Sequence, residues 1–140
     1  MVSDSFIAHR RTKDQTVQSV RQHLEDASAI CRCLTEKVGV PDVGELLGLL
    51  HDFGKYSQQF QTYIQSATGI LNPDIDVEYV DAKALKGQID HSSAGAQWIW
   101  ENFRRYGPQG ELVGQILSLC LASHHSGLID SLKPNGENGF

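Results

Sequence analysis

Apolar side chains at Val17, Val20, Leu24, Ala27, Cys31, Leu34 and Val38 recur in alternating steps of three and four. Only an α-helix turns all seven to one side, because its period is 3.6 residues and that of a strand is two. The pattern predicts an amphipathic helix over residues 14–38, ended by Gly39 and Pro41. The same reading extends along the chain. Residues 44–51 (GELLGLLH) are almost wholly apolar and predict a buried helix, broken at Gly54. Helical spacing returns over residues 55–67 at Tyr56, Phe60, Tyr63, Ile64 and Ala67. Residues 68–90 lose the period. Thr68-Gly69 and Asn72-Pro73 are turn signals there, and Val77 to Val80 fit a short strand or plain loop. Asp90 or Ser92 is suited to cap a fourth helix running to about Tyr106, with Ala94, Trp98, Ile99 and Phe103 inward. A fifth, over residues 111–123, turns Leu112, Val113, Ile116, Leu117, Cys120 and Leu121 to its core. The fold class is all-α, a bundle of five or six helices with a 68–90 loop.

A chain of 140 residues with a 40% hydrophobic fraction fits one domain, read as 1–140, with a core large enough to need no staple. The three cysteines form no CxxC pair, and Cys31 and Cys120 fall on apolar stripes as small hydrophobes. That usage fits a reducing, cytoplasmic setting. No apolar leader opens the sequence, and no run reaches the roughly 20 residues that cross a bilayer. The formal charge of −5 argues against a protein that coats nucleic acid with a basic face. It is compatible with a nuclease, because two divalent cations would offset most of it where phosphate must sit.

The histidines carry the chemistry. His23, His51, His91, His124 and His125 all fall at helix ends or edges. Imidazole and carboxylate together suit Zn, Fe, Ni, Mn and Co better than Ca or Mg. His51-Asp52 ends the most apolar helix, so both side chains have a rigid base. His23 borders the stripe of Val20, Leu24 and Ala27, and His124 continues the stripe of the fifth helix with His125 behind it. Packing alone explains adjacent histidines at a buried helix end poorly, because each ring needs hydrogen-bond partners. His9, beside Arg10-Arg11, reads as a surface residue outside this group. Of the aromatic residues, Tyr56, Phe60, Tyr63 and Trp98 match core spacing, whereas Trp100 lies off the stripe and is the better candidate to stack on a base.

His23 in HLEDA and His51-Asp52 in LLHDFGK resemble the HD-domain metal phosphohydrolases. HDFGKYSQQFQTYI, DHSSAGAQ at 90–97 and SHHSGLID at 123–130 are similar to the HD nuclease domain of the CRISPR interference helicase-nuclease, as is the AHR at His9. The resemblance spans residues 8–130. It implies metal-dependent cleavage of single-stranded DNA after a guide-RNA surveillance complex has opened the target. His23, His51 and Asp52 would hold one divalent ion, and Asp52 would bridge to a second held by His91, His124 and His125. The ions would be Mn, Ni, Co, Fe or Mg, and Asp52 and Lys55 would be catalytic, with Lys55 near the scissile phosphate. The implied partners are single-stranded DNA, the surveillance complex and a CRISPR helicase domain or subunit. No GxxxxGK[ST] loop is present, so no helicase domain is expected in these residues. The superfamily's last ligand is an aspartate on a later helix. Here only Asp130 and Glu137 follow His125, so either the chain is truncated at its C-terminus or the first metal site is incomplete. Two other readings compete: a phosphohydrolase of nucleotides or cyclic dinucleotides, and an inactive HD fragment or docking module.

Overall fold

A computed structural model of the chain describes residues 6–125. Two short antiparallel strands, β1 (Ile7–Arg10) and β2 (Val17–Ser19), precede α1 (Val20–Glu36) and α2 (Pro41–Leu50). A 3-10 turn (Phe53–Tyr56) leads into α3 (Gln58–Ala67), a one-turn α4 (Ala82–Leu85), α5 (Ser93–Phe103) and α6 (Gly107–Ser123). The protein is helical, as the periodicity predicts, and the small sheet is the exception. Among the described residues, no helix is long and apolar enough to cross a membrane. The tail that carries Asp130 and Glu137 lies outside the described residues.

The first expected helix begins six residues late. Val17 pairs with Arg10 in the sheet, and Ser19 caps α1 by accepting from the Gln22 amide at 3.2 Å. The predicted stripe holds at Val20 and Leu24, but Val17, Leu34 and Val38 are exposed and Ser28 is buried instead. The reason is the close approach of α2. A Cβ on Gly48 would sit 2.4 Å from the Ser28 Cα, so the two helices meet backbone to backbone at that turn. Ser28 also donates to the Glu45 carbonyl at 3.1 Å. Leu34 on α1 and Val38 beyond its end are exposed.

The fifth predicted stripe is corrected for the same reason. α6 buries Gly110, Gly114, Leu117, Ser118 and Leu121, whereas Leu112, Val113, Ile116 and Cys120 are exposed. Its small face is the one that fits, because a Cβ on Gly114 would stand 3.1 Å from the Phe103 Cβ. Ser118 then reaches across to donate to the Ala96 carbonyl at 2.8 Å. On α5, Ile99 is fully buried, while Trp98 is 44% exposed and Trp100 is half-buried near Gly114. Trp98, expected inward, is thus the more exposed ring, and Trp100, expected off the stripe, is the more covered one. No strand forms over residues 77–80, and Val77 is exposed.

Two apolar clusters result among the described residues. Leu50, Ala96, Ile99, Leu117 and Leu121 join α2, α5 and α6, and Ala8, Val20 and Leu24 join β1 to α1 with Phe6 and Tyr56 against them. Leu50 in the first cluster and Tyr56 in the second bracket the segment His51-Asp52-Phe53-Gly54-Lys55. The chemistry-bearing turn is thus fixed at both ends by hydrophobic packing.

Candidate metal centre

Asp52 follows directly on α2 and is 3% exposed. Its two oxygens face different partners. Oδ2 lies 2.9 Å from His23 Nε2, 3.2 Å from His51 Nε2 and 2.9 Å from the Lys55 ammonium. Oδ1 lies 3.2 Å from His124 Nε2, 3.4 Å from His125 Nε2 and 3.7 Å from His91 Nε2. Within the sets, His23 and His51 bring their Nε2 atoms to 3.1 Å, and His91 and His125 theirs to 2.9 Å. Of the six residues read from the sequence as ligands, the five histidines come from α1, the end of α2, the turn before α5 and the end of α6, and they converge on the carboxylate of the sixth, Asp52.

Backbone carbonyls orient three of the rings. His51 donates from Nδ1 to the Gly48 carbonyl at 2.8 Å, His91 to that of Ile89 at 3.1 Å and His124 to that of Leu121 at 2.6 Å. A carbonyl only accepts, so each Nδ1 carries a proton, and Nε2 is the nitrogen that each ring turns toward Asp52 and that has a lone pair to offer once deprotonated. Lone pairs and a carboxylate within 3.2 Å of one another repel unless a proton or cation lies among them. Ligand bonds of about 2.0–2.2 Å place neighbouring ligand atoms roughly 3–3.5 Å apart at octahedral or tetrahedral angles. Most of the separations around Asp52 fall in or beside that range. The residues fit one divalent cation on each side of Asp52, and the fixed Nδ1–H tautomers are the usual support of metal-binding imidazoles. Among the described residues, Asp52 is the only carboxylate in either group.

The electrostatics follow from this crowding. Burial alone would raise the Asp52 pKa, but the hydrogen bonds from His51, Lys55 and His23 overcome it and hold the carboxyl far below the usual range. Burial also works against the charged form of His51, yet Asp52 and the Gly48 carbonyl outweigh it and its pKa rises. His23 is lowered mainly by burial, and His125 by burial and then by His124. Imidazoles kept neutral are the form that binds metal.

Lys55, expected beside the scissile phosphate, is 4% exposed and ion-paired with Asp52. His9, read as surface, is exposed on one side only: its Nε2 lies 3.1 Å from the Lys55 ammonium, and its ring packs edge-on against His23 with centroids 4.9 Å apart. Burial and then the Lys55 charge lower its pKa. The flanking Arg10-Arg11 disguised it. Gly54 was legible as a helix breaker, but its larger role is spatial. Its N–H donates to the His91 carbonyl at 3.1 Å, and a Cβ there would come within 2.6 Å of that oxygen.

Compared with known families, residues 8–138 match the sequence model of the family described as Cas3, HD domain. No curated protein and no solved structure matches the chain.

Proposed function

This chain belongs to the Cas3 HD-domain family of CRISPR-associated nucleases, and on that premise we propose that it hydrolyses phosphodiester bonds of single-stranded DNA using two divalent cations bridged by Asp52. The observation that carries the proposal is the division of the Asp52 oxygens, Oδ2 toward His23 and His51, Oδ1 toward His124, His125 and His91. A carboxylate bound through one oxygen would not need a histidine set on each side. When bound, two such cations would supply a nucleophile from water at neutral pH and offset charge on the attacking and departing oxygens.

The chain's own residues do the rest. Asp52 spaces the two sets and supplies the negative charge that draws cations in. The carbonyls of Gly48, Ile89 and Leu121 hold three imidazoles in the binding tautomer, so little reorganisation is needed on loading. Lys55 is the cation positioned to offset charge growing on a non-bridging phosphate oxygen. Single-stranded DNA is favoured over free nucleotides because the DHSSAGAQ and SHHSG strings accompany the HD pair, and because of the family itself. A guide-RNA surveillance complex and a helicase domain or subunit are the partners proposed to deliver that strand.

Circular single-stranded DNA incubated with the chain and Mn, Ni, Co or Mg tests the reading, alongside Asp52→Ala. Cleavage by the wild type alone is expected. Cleavage by both proteins, or by neither, would remove its support.

A further inference from the structure

Lys55 shares its acceptor with the first histidine set, since its ammonium lies as close to Asp52 Oδ2 as His23 Nε2 does, 2.9 Å. On the two-cation reading, which this inference rests on, Asp52, His23 and His51 would be engaged in holding a cation, and the Lys55 ammonium beside them would lose Asp52 as its acceptor. The ammonium is buried and must keep an acceptor. His23 Nε2, 3.5 Å away, would be engaged by the cation, which leaves His9 Nε2 at 3.1 Å. We infer that His9 is a positioning residue, whose Nε2 accepts from the Lys55 ammonium and holds it beside the phosphate position, and is not itself a metal ligand.

The surroundings of His9 are built to fix that contact. A bulge bends β1 between Ile7 and His9, so the strand does not run straight past the cluster. The buried side chain of Gln61 then ties strand and lysine together. It accepts from the Ile7 amide at 2.8 Å, and donates to the Ile7 carbonyl at 3.0 Å and the Lys55 carbonyl at 2.7 Å. One side chain thereby sets the spacing of the His9 strand and the Lys55 turn. The other side of His9 faces an open groove shared with Arg10, Arg11 and Gln22.

Imidazole nitrogen spectra of the 15N-labelled, Zn-loaded chain test the pairing without relying on catalysis. At neutral pH, His9 is expected to carry its proton on Nδ1, and its Nε2 resonance should shift in Lys55→Met. A proton on Nε2, or an Nε2 resonance indifferent to Lys55→Met, overturns the inference. In Mn-supported cleavage of single-stranded DNA, His9→Phe keeps an aromatic ring but removes the acceptor. It is expected to lower kcat at least tenfold with KM and metal per chain unchanged. His9→Gln, whose amide oxygen can accept, should recover most of that loss. Loss of a metal equivalent in His9→Phe would make His9 a ligand and overturn the assignment, as would undiminished kcat. If the wild type does not cut, the cleavage reading fails while the spectra still decide the His9–Lys55 contact.

Discussion

At Asp52 one carboxylate faces an ammonium and five imidazoles, so its protonation state controls the whole cluster. Its pKa is depressed in the fold. The stabilisation it brings is therefore fully present above the ordinary carboxylate value of about 3.9, and is lost as pH falls through and below that value. Thermal melts of the metal-free chain between pH 5 and pH 2 should show Asp52→Asn losing stability less steeply than the wild type; parallel slopes would mean that the carboxylate is not held ionised by its neighbours. At this scale the sequence was informative for a physical reason. Histidines at helix ends beside apolar stripes have few ways to be satisfied by packing, and His23, His51, His91, His124 and His125 do meet around Asp52. His9 escaped because its contact with Lys55 spans 46 residues and depends on a strand that no helical period announces.

The elements were legible where one face of a helix meets side chains, and misleading where it meets backbone. α1 and α6 pack through Ser28 or through Gly110, Gly114 and Ser118, so a hydrophobic pattern assigns their buried faces wrongly. The burial of Trp98 and Trp100 was misread by the same error, since close approach of α6 to Phe103 covers the Trp100 side of α5. Close approach also sets a test. In Gly54→Ala the new Cβ would meet the His91 carbonyl oxygen at 2.6 Å and its Cα at 2.7 Å, backbone that cannot swing aside. The expected cost is about 1–3 kcal/mol, from overpacking. Displacement of His91 should weaken cation binding as well. Melting and metal titration of the same variant check both, and an unchanged melt with unchanged affinity would show that the start of α5 gives way freely.

For the molecule as a whole, the His/Asp cluster bridges two helix pairs that also meet in the apolar cluster around Leu50. α1 and α2 pack as one pair and α5 and α6 as another, and the proposed ligands come from both pairs. Cation binding should consequently stabilise the fold and not merely decorate it. At a free concentration 100 times Kd the gain is about 2.7 kcal/mol per site. For a chain of this size that corresponds to a rise in Tm on the order of 10 °C, reversed by a chelator. The acidic balance of −5 favours the same loading. The proposed cleavage rests on Asp52 serving two cations at once, and metal content per chain measures that directly. After saturation with Mn and removal of excess, the wild type is expected to retain two equivalents and Asp52→Ala fewer than one. One equivalent or none in the wild type, or two in Asp52→Ala, would contradict the bridged site.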